Sequence, residues 1–154
     1  MKHAGLVLAA GASTRMGQPK ALLLAPARIP LARHQANLLR QSGCEEVLVV
    51  LGSDFEFIRD RLPNCATVFN ADWEKGRFSS VQAGLRALHE FDGCFILPVD
   101  TVGVSLKTLQ ATRELAGRTN PPAVRPTFNG RNGKIAWISK ELADEITGAE
   151  TADT

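Results

Sequence analysis

Residues 4–9, AGLVLA, form an unbroken apolar run, and EVLVVL at 46–51 and CFILPV at 94–99 repeat the pattern with scarcely a polar side chain. A strand with one wet face alternates polar and apolar residues, so a run without alternation needs both faces covered. Segments of helical period lie between these runs. Strands joined by helical crossovers lie parallel, because a short turn cannot return the chain to the same end of a sheet. The pattern predicts an α/β fold, a mostly parallel sheet with helices on both faces.

The spacing predicts strands at Ala4–Ala9, Glu46–Leu51, Ala66–Phe69 and Cys94–Val99, and two late ones at Ala123–Arg125 and Lys134–Ile138. Helices are expected at Leu31–Gln41, with Leu31, Gln35, Leu38 and Leu39 near one face and Gly43 as the stop, and at Phe78–Phe91, where Val81, Leu85 and Leu88 share a face. Asp54 is expected to cap a short helix that Pro63 closes, Ser105 one that runs to Ala116 before Gly117, and Ser139 a last one to about Ile146. Residues 1–154 read as one domain. Eighteen basic against sixteen acidic residues leave +2, too balanced to argue for nucleic acid or a membrane surface as partner. Cys44, Cys65 and Cys94 form no CxxC and no zinc spacing, so free thiols of a reducing cytoplasm are expected. Met1-Lys2-His3 and the apolar run after it faintly suggest an export signal. That reading is rejected, because the run passes directly into a Gly/Ser/Arg/Lys loop that makes better sense as a site.

In parallel sheets ligands bind beyond the carboxyl ends of the strands, and two unusual segments stand there. One is the loop Gly11–Lys20, where small residues let backbone N–H groups approach an anion and Arg15 and Lys20 add charge. It is neither a Walker A loop, since no Ser or Thr follows the Lys, nor GxGxxG. The other is Asp100, too early to cap the helix that starts at Ser105. His3, His34 and His89 have no partner constellation, and Trp73 and Trp137 read as packing, although Trp73 falls near the loop.

The stretch LAAGASTRMGQPK at 8–20 resembles the LAAGxSxRMGxxK signature of MobA-like molybdenum-cofactor nucleotidyltransferases, most of all those that transfer a cytidylyl group. Asn70 followed by Gly76-Arg77-Phe78-Ser79-Ser80-Val81 and Gly84-Leu85 is similar to the family's N…GxxSSxxxGL segment. Leu97-Pro98-Val99-Asp100 stands in the place of its metal-binding aspartate, and Arg125–Gly133 is similar to its late glycine-rich turn.

The resemblance implies a Rossmann-like three-layer α/β/α fold of the nucleotide-diphospho-sugar transferase type. It implies transfer of a nucleotidyl group from an NTP to a phosphorylated small acceptor such as molybdopterin, with release of pyrophosphate. Arg15 would contact the leaving phosphates, Lys20 the transferring phosphate, and Asp100 a Mg²⁺ ion. Ala9, Ala10, Gly11, Ser13, Asn70, Ser79 and Ser80 would join Arg15 and Lys20 in holding the nucleotide. Ala10, where guanylyl-transferring relatives have glycine, points to CTP. The chain departs from the family at Val102-Gly103, where a proline is usual, and at Lys134-Ile135, where His-Pro is usual. It ends at Thr154, and Asp153 stands near a segment that completes the metal site in relatives. A sugar-phosphate acceptor and a non-catalytic nucleotide-binding role are the alternatives.

Overall fold

The structure, a computed structural model, describes residues 1–12, 18–128, 131–132 and 134–149. In chain order its elements are β1 (His3–Ala9), α1 (Leu31–Gln41), β2 (Cys44–Leu51), α2 (Phe55–Asp60), β3 (Thr67–Phe69), α3 (Arg77–Ala87), β4 (Gly93–Pro98), α4 (Leu106–Thr119), β5 (Ala123–Val124), β6 (Thr127–Phe128), β7 (Arg131–Asn132), β8 (Ala136–Ser139) and α5 (Lys140–Gly148). Six strands form one sheet in the order β3-β2-β1-β4-β8-β5, and β6 and β7 make a separate two-stranded ribbon. β1 pairs in parallel with β2 and β4, and β2 with β3. β8 runs antiparallel to both β4 and β5.

β1 explains why its sequence does not alternate. Val7 and Ala9 pack with Leu31, Ala32, Ala36 and Leu39 of α1 and Leu109 and Ala116 of α4. Leu6 and Leu8 face the other way, onto Val81 and Leu85 of α3 and Ala143 of α5. One strand feeds two cores, and all seven of its residues are buried. Gly84 lets α3 lie close on this second face: a Cβ there would stand 2.7 Å from Leu6 Cδ1 and 3.0 Å from Val50 Cγ2. The glycine of the Ser-Ser segment is thus a packing residue. Among the described residues no helix is long and apolar enough to cross a membrane. The three cysteines are free thiols, and burial pushes that of Cys44 up to about 11.

Several boundaries differ from expectation. α3 starts at Arg77 behind Gly76, one residue before the expected Phe78, and Ser79 and Ser80 lie in its first turn. It stops at Ala87, four residues before Phe91, because the Glu46 carboxylate takes the His89 N–H and ring nitrogen, both at 2.8 Å. α4 passes through Gly117 to Thr119, and Asn120 takes the left-handed conformation that ends it. Asp54 precedes α2 in a left-handed conformation (φ 57°), and its side chain makes no capping bond. Ser105 and Ser139 do cap, accepting from the N–H groups of Thr108 and Leu142 at 3.1 Å each.

His3 is 3% exposed, and its ring centroid lies 6.2 Å from those of Phe95 and Trp137. Burial first, then the charges of Arg113 and the amino terminus, push its pKa below 6.5. The unfolded chain therefore takes up this proton first. The contribution is complete above pH 6.5 and is lost as pH falls below it, at up to about 1.4 kcal/mol per pH unit. Urea unfolding at pH 7.5 and 5.5 should show the loss in wild type and a smaller one in His3→Leu. Equal losses would remove His3 as its source.

Candidate functional site

The strand order turns at β1: β2 and β3 extend to one side and β4 to the other. A sheet wound this way opens a crevice at the carboxyl ends of the two strands where the order turns. β1 ends there and continues as Ala10-Gly11-Ala12. The described chain resumes beyond it in a 3₁₀ turn, Lys20–Leu22. β4 ends beside it. The Val99 N–H still donates to Leu8 O at 2.9 Å, after which the Thr101 N–H closes a turn on Pro98 O at 3.1 Å. Asp100 is the third residue of that turn. Residues 80 positions apart then meet, with Lys20 Nζ 3.2 Å from Asp100 Oδ2. Partial burial works to raise the Asp100 pKa. The Lys20 hydrogen bond and charge, with the charge of Lys134, outweigh it and hold the carboxyl below 3.8. Asp100 is therefore an anion at neutral pH.

The opposite wall comes from the ends of β2 and β3. The Ser53 N–H donates to Ala10 O at 2.9 Å, which ties the loop after β2 to the loop after β1. Asp54 follows in its left-handed conformation. After β3, Asn70 organises the next loop. Its amide donates to Ser79 Oγ at 2.9 Å and Ser80 Oγ at 3.0 Å, and its Oδ1 accepts the Asp72 N–H at 2.9 Å. The Ser79 hydroxyl turns back toward Gly76 O (2.6 Å) and Asp72 O (3.0 Å), sharing its one proton between them. Gly76 has φ 104°, a conformation costly for any residue with a Cβ, and there the chain swings into the first turn of α3.

These walls enclose a cleft of about 270 Å³. Of the residues expected at the site, Ala9, Ala10, Gly11, Lys20, Ser80 and Asp100 line it. Asn70 and Ser79, each 4% exposed, stand behind the wall and hold it. Ser13, Arg15 and Asp153 lie outside the described residues. Ser53, Asp54, Trp73 and Arg77 also line the cleft. Arg77 was in view inside the Ser-Ser segment and Trp73 just before it. Ser53 and Asp54 carried no signal beyond following a buried strand.

No group of three or more His, Cys, Asp or Glu side chains able to hold a metal occurs among the described residues. Among the described residues, therefore, the cleft holds no dedicated protein cage. It offers the Asp100 carboxylate, about 40% exposed and facing space for a ligand. That donor set suits a hard divalent ion that keeps water and takes its remaining oxygens from substrate phosphates, the usual mode of Mg²⁺.

Comparison with known proteins shows what the chain as a whole is similar to. A family model described as the MobA-like NTP transferase domain matches residues 5–154. The chain is 38% identical over 108 residues to nicotine blue oxidoreductase of Paenarthrobacter nicotinovorans, covering 68% of this chain and 52% of that protein. It is 32% identical over 135 residues to a probable molybdenum cofactor guanylyltransferase of Rhodopirellula baltica, covering 79% and 64%. The chain thus spans between half and two thirds of the length of these relatives. The crystal structure of Rv0371c from Mycobacterium tuberculosis H37Rv superposes with a TM-score of 0.82 at 24% identity, over 96% of this chain and 76% of that one.

Proposed function

The chain belongs to the MobA-like NTP transferase family, and on that premise we propose that it moves a nucleotidyl group from an NTP to a phosphorylated small acceptor and releases pyrophosphate. The observation that carries this reading is the contact of Lys20 with Asp100 at 3.2 Å, at the mouth of a glycine loop and in the crevice between β1 and β4. In the proposed reaction an acceptor phosphate oxygen attacks the α-phosphorus, and the bond to the β-phosphate oxygen breaks. No covalent enzyme intermediate is needed, so the protein's work is positioning and charge stabilisation. The backbone of Ala10-Gly11-Ala12 receives the phosphates closely, and Lys20 neutralises charge growing on the transferring group. Arg15 is proposed to hold the leaving phosphates and Lys134 to attract the acceptor. Mg²⁺ is the proposed cofactor. It would supply the main counter-charge for the triphosphate, and Asp100 would hold it.

CTP is the proposed nucleotide. Ala10 is 5% exposed, and its carbonyl is tied to Ser53, so its methyl group cannot easily move aside for a purine. Calorimetric titration should rank CTP and UTP above GTP and ATP, and Ala10→Gly should narrow the gap. A clear GTP preference in wild type would overturn the assignment. The deciding experiment for the reaction is pyrophosphate release with each NTP, Mg²⁺ and a panel of acceptors that includes molybdopterin and sugar phosphates. A second reading has one observation in its favour, the name of the Paenarthrobacter relative, which is that of an oxidoreductase. Nucleotide-dependent redox turnover without pyrophosphate would select it.

A further inference from the structure

The buried face of α1 is apolar except at Gln35, which joins Leu31, Ala32, Ala36 and Leu39 there and is 1% exposed. An amide taken out of water is costly unless it is hydrogen-bonded. Both hydrogens of the Gln35 amide are used, and on neighbouring targets. Nε2 lies 3.1 Å from Val99 O and 2.8 Å from Thr101 O, the carbonyls on either side of Asp100. The turn's own bonds, Thr101 N–H to Pro98 O and Val102 N–H to Asp100 O, are each 3.1 Å. Beyond them the chain passes into Gly103 (φ 82°) and the exposed Val102, with no regular structure until Ser105 caps α4. The two bonds from α1 are thus tertiary anchors on a short turn whose other ties outside itself are Val99 N–H to Leu8 O and the Lys20–Asp100 contact.

We propose that Gln35 is a positioning residue. By holding the Val99 and Thr101 carbonyls against α1, it fixes the turn between them so that the Asp100 carboxylate points across the cleft at Lys20. Its consequence for turnover rests on the transfer reading given above; the positioning itself does not.

Amide hydrogen exchange and kinetics on Gln35→Met and Gln35→Glu test this. Met keeps the length without polar atoms. Glu keeps the shape and, protonated in this buried place, can donate to only one of the two carbonyls, so it serves if the apolar variant fails to fold. Exchange of the Thr101 and Val102 amides should quicken at least about tenfold, the scale of one lost hydrogen bond. The Val7 and Val49 amides, in the central strands, should keep their rates. In an active enzyme kcat should fall by about tenfold or more with the NTP KM within about twofold. A role in packing alone would instead speed all these amides together. Uniform acceleration, or none at Thr101 and Val102, overturns the proposal, also where wild type releases pyrophosphate. Localised acceleration in a protein that releases no pyrophosphate with any NTP supports the positioning and removes the transfer reading.

Discussion

Asp100→Asn should fold normally and turn over at least about 10²-fold more slowly than wild type. The two halves of this expectation have different origins. Asn keeps the shape of Asp and is itself a good turn residue, so the Pro98–Thr101 turn and its anchors on α1 remain. The ion pair with Lys20 is between side chains 47% and 40% exposed, and such pairs contribute about 0–1 kcal/mol. A thermal melt should therefore move little. The loss of turnover is expected instead from the missing negative charge, because an amide oxygen would be a poor ligand for the proposed Mg²⁺ in the presence of water. Pyrophosphate release as a function of Mg²⁺ measures it. Equal rates from two equally stable proteins would remove Asp100 from the machinery, and a lost fold would show that the charge served the fold through its contact with Lys20.

Lys20→Ala should lower kcat by about 10²- to 10³-fold while NTP affinity changes far less. A cation that meets charge developing in the transition state acts mainly on turnover. A cation that meets the triphosphate already in the ground state acts mainly on binding, which is the pattern expected of Arg15→Ala. Lys20→Arg should restore little, because a planar fork does not occupy the place of a compact ammonium. Steady-state kinetics of the three variants against NTP concentration separates the roles. Unchanged turnover in Lys20→Ala would end the assignment.

Helix and strand positions were legible where a local pattern was all that mattered. α1 has the expected bounds, because its apolar stripe and Gly43 agree on where it begins and ends. The caps at Ser105 and Ser139 were legible for the same reason. Illegible were the features set from far along the chain. The Ser79-Ser80 pair has the composition of a helix start, but Asn70 recruits both hydroxyls, and Gly76 begins the turn three residues earlier. α3 is cut short by Glu46, a residue 43 positions upstream of His89. Gln35 stood on the inward face of the α1 pattern as a polar residue among leucines. That mismatch was a signal that something inside needed two donors, although only the fold shows that the something is the Asp100 turn. At the cleft, the glycine loop, Lys20 and Asp100 were readable from their chemistry, whereas Ser53 and Asp54 enter because β2 happens to end beside β1.

The position of β8 bears on how the chain is made. It lies between β4 and β5 in the sheet but follows both in sequence. β5 therefore has no place to dock until the later strand arrives, and the outer edge of β4 stays unpaired while about 40 more residues are synthesised. At roughly 5–20 residues per second that is an interval of about 2–8 s on the ribosome. Throughout it an apolar edge strand is open to any passing chain.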